Sequence, residues 1–94
     1  MATALSFDDF AASARERGFD DVVVRHWAPH QHVETHTHPV SIEVVVVEGQ
    51  VDLTMAGETR RYGSGEVFTV GQEVPHAEVY GPQGAVFWVA RRSA

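Results

Sequence analysis

Apolar and polar positions along the chain fall into one helical stretch followed by a succession of short alternating ones. Phe7, Phe10, Ala11 and Ala14 recur at the i, i+3, i+4, i+7 spacing of a single helix face. Ser6 stands where an N-cap belongs, with Asp9 three residues on in a capping-box position. Asp8 and Asp9 near the start, and Arg15 and Arg17 near the end, suit the helix dipole. Gly18 is a natural residue just past the C-terminus. A helix of about three turns is not stable alone, so its Phe face must dock on something.

Beyond Gly18 the pattern predicts strands over residues 22–27, 32–36, 42–47, 51–55, 59–62, 67–70, 76–80 and 85–90. Pro29, Pro39, Gly49, Gly57, Gly63, Gly65 and Pro75 punctuate them. Gly49 reads as the stop of one strand, and Gly81-Pro82-Gln83-Gly84 as the separator of the last two. Short strands at this spacing, with no second helical segment, predict an all-β sandwich or barrel. The expected organisation is one domain, with a helix in residues 1–20 packed on a barrel of residues 21–94. The run Val44-Val45-Val46-Val47 is apolar on both faces, so that strand is expected to be buried on both. One face is the barrel interior; the other must meet the helix, a second sheet or a subunit.

Composition narrows the chemistry. There is no cysteine, which excludes disulfides, thiolate catalysis and Cys-based metal sites. There is no lysine, which removes Schiff-base chemistry. A net charge of −6 with no basic stripe speaks against nucleic acid as a partner. No apolar run reaches membrane-spanning length, and residues 1–6 do not read as a signal peptide. The expectation is a soluble cytoplasmic protein without a membrane partner.

The histidines carry the functional signal. Five of the six lie between His26 and His38. His36 and His38 are two apart, so on a strand they project from one face and can chelate one ion. His76 follows after several predicted strands and closes the site if its strand pairs beside the first. His26, His30 and His32 lack such support and are expected on the rim or surface.

These residues, with the turns around them, resemble the cupin superfamily, a jelly-roll (double-stranded β-helix) barrel, here in a small single-domain form. The first motif of that family is Gly, five residues, His-x-His, three or four residues, Glu, six residues, Gly. His36-Thr37-His38 and Gly49 match it. The second is Gly, five residues, Pro-x-Gly, two residues, His, three residues, Asn; Gly65 and His76 match it. Val47-Glu48-Gly49 and Gly63-Ser64-Gly65-Glu66-Val67 share the family's turn-and-strand texture. The chain departs from the pattern at His30 for the first Gly, at Gly71 and Glu73 for Pro and Gly, and at Tyr80 for Asn. Counting back from Gly49 puts Ile42 at the carboxylate ligand position. Glu43, one residue on, then points to the opposite face unless a bulge intervenes.

The resemblance implies His36, His38 and His76 as ligands of one divalent transition metal. Imidazole donors suit Fe, Ni, Zn or Cu, whereas Mg and Ca want carboxylates. It also implies a small-molecule ligand or substrate. A dioxygenase or isomerase acting on a chelating metabolite is one reading; a non-catalytic binding or sensing module is the other. Glu78 shares a strand face with His76 and is the candidate acid–base residue, with Glu34 and Tyr80 as further groups of that kind. A core this small, together with the apolar runs at 44–47 and 86–89, predicts a homodimer.

Overall fold

The computed structural model describes residues 6–93; most of the segment read against a signal peptide lies outside the described residues. Helix α1 (Phe7–Glu16) starts at Ser6, whose Oγ accepts the Asp9 amide at 3.0 Å. The chain leaves it through Gly18 at φ 93°, a left-handed conformation that glycine tolerates without penalty. Six strands follow: β1 (Asp21–Trp27), β2 (His32–His36), β3 (Val40–Met55), β4 (Glu58–Gly63), β5 (Val67–Val70) and β6 (His76–Ser93).

Two of these strands are longer than the sequence pattern predicts. Segments 42–47 and 51–55 are one strand, as are 76–80 and 85–90. Gly49 therefore bends a strand rather than stopping it, and Gly81-Pro82-Gln83-Gly84 lies inside β6. The two long strands pair antiparallel from Val40↔Ser93 to Met55↔His76, with register shifts between Val46 and Glu48 and between Gly49 and Val51. At the bend Gly49 and Gly84 have φ of 80° and 68°. A Cβ on Gly49 would lie 2.0 Å from the Gly84 carbonyl oxygen, and one on Gly84 would lie 2.2 Å from that of Trp27. Three backbone segments cross there with no room for a side chain.

The bend gives the sheet two faces. The first half of β3 pairs with β5 and with the second half of β6, which also pairs with β1. The second half of β3 pairs with β4 and with the first half of β6, which also pairs with β2. Strands that switch sheets at a bulge form such corners, and the result is the jelly roll expected from the sequence.

Val44, Val46, Val51, Leu53, Phe68, Tyr80, Phe87 and Val89 point inward and form the main core. Val45, on the opposite face of β3, packs with Trp88, Phe7, Phe10, Ala11 and Ala14 in a second cluster. The Phe7 and Phe10 rings lie 5.8 and 5.9 Å from that of Trp88. The helix thus covers Val45 on the outer face of β3, while Val47 on the same face stays half-buried, so that face is less buried than the sequence predicts.

Candidate metal centre

Three histidines meet where β2 runs beside β6. His36 ends β2, and its partner across the ladder is His76, the first residue of β6. His38 lies beyond the strand end, in the connection to β3, so the two do not share a strand as the spacing predicts. The Glu73 amide donates to the His38 carbonyl at 2.8 Å and ties this connection down. The rings still converge, with centroids 4.8, 4.3 and 5.0 Å apart. One ring nitrogen from each lies within 4.8 Å of the others.

Hydrogen bonds decide which nitrogen faces the cluster. His36 Nδ1 lies 2.8 Å from the Glu34 carbonyl and His76 Nδ1 2.9 Å from the Val74 carbonyl. A carbonyl only accepts, so each ring donates from Nδ1 and turns Nε2 inward, the orientation in which the neutral ring ligates a metal. His76 is 1% exposed, and its Nε2 has no hydrogen-bond partner among the described residues. A buried acceptor left unmatched costs about 1–3 kcal/mol, and a bound cation would match it. The donor set therefore fits one transition metal ion. Burial, and then the neighbouring His36 and His76, hold the His38 pKa below the ordinary histidine value, which keeps this ring in its neutral, ligating form.

Glu78 borders the cluster. It is 7% exposed, and its Oε2 lies 3.5 Å from His76 Nε2 and 3.8 Å from His36 Nε2. Tyr80 donates its hydroxyl to Glu78 Oε1. Burial, then the Glu78 charge, push the phenol pKa well above its usual range, so Tyr80 is a neutral donor. Trp27 stacks on the Tyr80 ring at 4.9 Å and 13°.

Glu43 points away, as the register predicts: Arg17 grips both its carboxylate oxygens, at 3.0 and 2.8 Å. Ile42 instead lines a cavity of about 320 Å³ that opens beside His36 and His38. The side chains of His26, His30, His32 and Glu34 are exposed and outside the cluster. His30 and Glu73 stand where the family pattern has glycine, and they keep glycine's backbone, with φ of 58° and 59°. The sequence reading missed the cavity walls, including Arg25, Trp27, Phe68 and Phe87. For Arg25 and Trp27 the signal was present: with Val23 they alternate along β1 and share its inner face.

No curated protein shows significant sequence similarity to the chain. Similar folds occur among solved structures. An RmlC-like cupin from Shewanella frigidimarina NCIMB 400 matches with TM-score 0.69 and 25% identity, over 78% of this chain and 65% of that one. The DMSP lyase DddQ from Ruegeria pomeroyi DSS-3 matches with TM-score 0.70 and 22% identity, over 77% of this chain and 37% of the lyase. An oxalate oxidase matches with TM-score 0.67 and 21% identity, over 77% and 41%. The chain thus spans less than two thirds of each of these three proteins. A family profile for the cupin domain matches residues 23–89, from the inner face of β1 through the histidine cluster to the last paired stretch of β6. With that match across most of its length, on a bent two-faced sheet with converging histidines, the chain belongs to the cupin family.

Proposed function

We propose that this protein is a metal-dependent cupin enzyme, a dioxygenase or isomerase acting on a small chelating metabolite. The observation that carries this reading is His76: a buried ring, oriented through Nδ1, with an unmatched Nε2 aimed at two further histidines. His36, His38 and His76 would hold one Fe, Ni, Zn or Cu ion. Such an ion, when bound, supplies Lewis acidity toward a chelating oxygen.

The chain's own residues bind and orient the substrate. Ile42, Val44, Phe68 and Phe87 give the cavity apolar walls that exclude water. Arg25 lines the same cavity and makes no ion pair among the described residues. Its guanidinium suits a carboxylate, which it can hold by two parallel hydrogen bonds. A small acid with a chelating oxygen pair meets both requirements. The names of two similar structures, a DMSP lyase and an oxalate oxidase, support small-molecule chemistry.

The test is elemental analysis of untagged protein, then oxygen uptake and product analysis with diketones, catechols and chelating acids. Substrate-dependent oxygen consumption marks a dioxygenase; an isomeric product without oxygen marks an isomerase. A ligand that co-purifies and never turns over would replace the enzyme with a binding or sensing module. Failure to bind any of the four metals, as isolated or on titration, would overturn the proposal.

The same proposal includes a homodimer. Val24, 41% exposed on β1, and the edge of that strand, which has no partner among the described residues, offer a surface for a second copy. Light scattering should return twice the chain mass of 10.3 kDa; a monomer at micromolar concentration would rule it out.

A further inference from the structure

We infer that Glu78 is the fourth protein ligand of the metal, replacing from β6 the carboxylate that β3 does not supply. This rests on the metal-binding reading above and extends it. The family pattern expects a carboxylate at position 42, where the chain has Ile42. Glu43 cannot substitute, because Arg17 holds it on the outer face. The site would then have three neutral donors and no anion, were it not for Glu78.

Geometry favours ligation. Two donor atoms that each sit about 2.1 Å from a common ion lie about 3.0–3.4 Å from one another, for octahedral to tetrahedral angles. Glu78 Oε2 is 3.5 Å from His76 Nε2 and 3.8 Å from His36 Nε2. A contraction of a few tenths of an ångström brings Oε2 to ligand spacing from those two nitrogens, whereas the three histidine nitrogens, which lie within 4.8 Å of one another, must draw together further around the ion. Glu78 and His76 project from the same face of β6, and His36 pairs with His76 across the ladder, so the three side chains already face one another.

The surroundings of Glu78 point the same way. Its other oxygen, Oε1, is taken by the Tyr80 hydroxyl, which leaves Oε2 as the one free acceptor, aimed at the histidines. A carboxylate with one oxygen on a metal and the other on a neutral donor is the arrangement that outer hydrogen bonds enforce around ligands. Trp27, stacked on Tyr80, fixes the donor in turn. Glu78 is also buried without an Arg partner among the described residues. A buried anion needs a cation close by, and an ion held by three neutral imidazoles supplies it. Glu78 then acts on the reaction through the ion, in place of the direct acid–base role that its alternation with His76 suggests. Tyr80 is a positioning residue.

The experiment uses metal-stripped full-length protein titrated with Zn(II) against a competing chelator, and with Co(II) followed by its visible absorption. Glu78→Gln should weaken Zn(II) binding about 100-fold or more and shift the Co(II) bands, whereas Tyr80→Phe should weaken it about 10-fold. Glu78→Asp keeps the charge but shortens the reach; it should lose affinity nearly as Glu78→Gln does, which separates ligation from simple attraction. Adding Ile42→Glu to Glu78→Gln should restore affinity and Co(II) intensity by returning a carboxylate to the pattern's own position. Wild-type affinity and spectrum in both Glu78→Gln and Glu78→Asp would overturn the inference and leave the three-histidine site standing. Should Glu78→Gln fail to fold, Glu78→Asp decides alone, by the same two readouts. A wild-type protein that binds neither metal would overturn the metal-binding reading itself.

Discussion

Gly49→Ala and Gly57→Ala form a matched pair that isolates the cost of the strand crossing. Both glycines have nearly the same backbone, φ 80° and 79°. An alanine in that left-handed region costs about 1–2 kcal/mol at either site. Around Gly57 a Cβ meets nothing within 4 Å; at Gly49 it lies 2.0 Å from the Gly84 oxygen and 2.9 Å from Ala85 Cα. Relief to an ordinary contact of 3.4 Å requires a movement of about 1.4 Å between bonded strands. Movement on that scale breaks ladder hydrogen bonds, each worth about 1 kcal/mol net, and adds overpacking strain of about 1–3 kcal/mol. With two such bonds lost the total at Gly49 is about 4–7 kcal/mol, against about 5–14 kcal/mol for the stability of a domain of this length. At about 4–8 °C per kcal/mol, thermal melts of metal-free protein should show Gly57→Ala lowered by about 5–15 °C. Gly49→Ala should fall at least twice as far or not fold. Equal losses in the two variants would refute the crowding argument and leave only backbone strain.

Three further outcomes are expected. His30→Gly and Glu73→Gly should each stabilise the fold, because relief of about 1–2 kcal/mol of left-handed strain exceeds the about 0.5–1 kcal/mol of added chain entropy; a Tm that falls in both would contradict this. Phe10, 3% exposed against Trp88, should cost about 3–5 kcal/mol when replaced by Ala, and an unchanged Tm would mean that the helix contributes nothing. Protons compete with metal for the imidazoles, so affinity should fall with pH, but His38, whose folded pKa is lowered, should begin to lose its ligand form only below the ordinary value of about 6.5. The metal-free fold shares the sign: the unfolded chain binds the His38 proton first, so stability from this group is full above about pH 6.5 and declines below it. Chelator titrations and melts at stepped pH check both, and stability that rises on acidification through that window would reverse the assignment.

The helix and the histidine triad were legible because each rests on local chemistry: a capped apolar stripe, and imidazoles at motif spacing. The strand breaks at Gly49 and at Gly81 to Gly84 were misread because glycine signals a turn and a bulge alike. Only the partner strand decides which, and β3 and β6 run past each bend together. Ile42 and Glu43 were placed on the correct faces by the motif count back from Gly49 together with the two-residue period of a strand. Arg17 as the partner of Glu43 could not be read, since it depends on how a helix lies across a sheet. Glu78 beside His76 was visible as alternation, while its approach to His36 required the β2–β6 register.

The place of β6 in the sheet also sets the order in which the molecule can assemble. It is the last strand of the described chain, yet β1, β2 and β3 all pair with it. A ribosome that has released everything before residue 76 has delivered two of the three histidines, and a set of strands whose common partner is still unmade. Neither the three-histidine cluster nor the pairings with β6 can form until that stretch emerges. Pairings so distant along the chain are slow to find, and the Val-rich run of β3 stays uncovered meanwhile, a segment of the kind that aggregates during synthesis. In this fold the pairings of β1, β2 and β3 with β6 wait on one strand, and chaperone demand should be highest before it emerges.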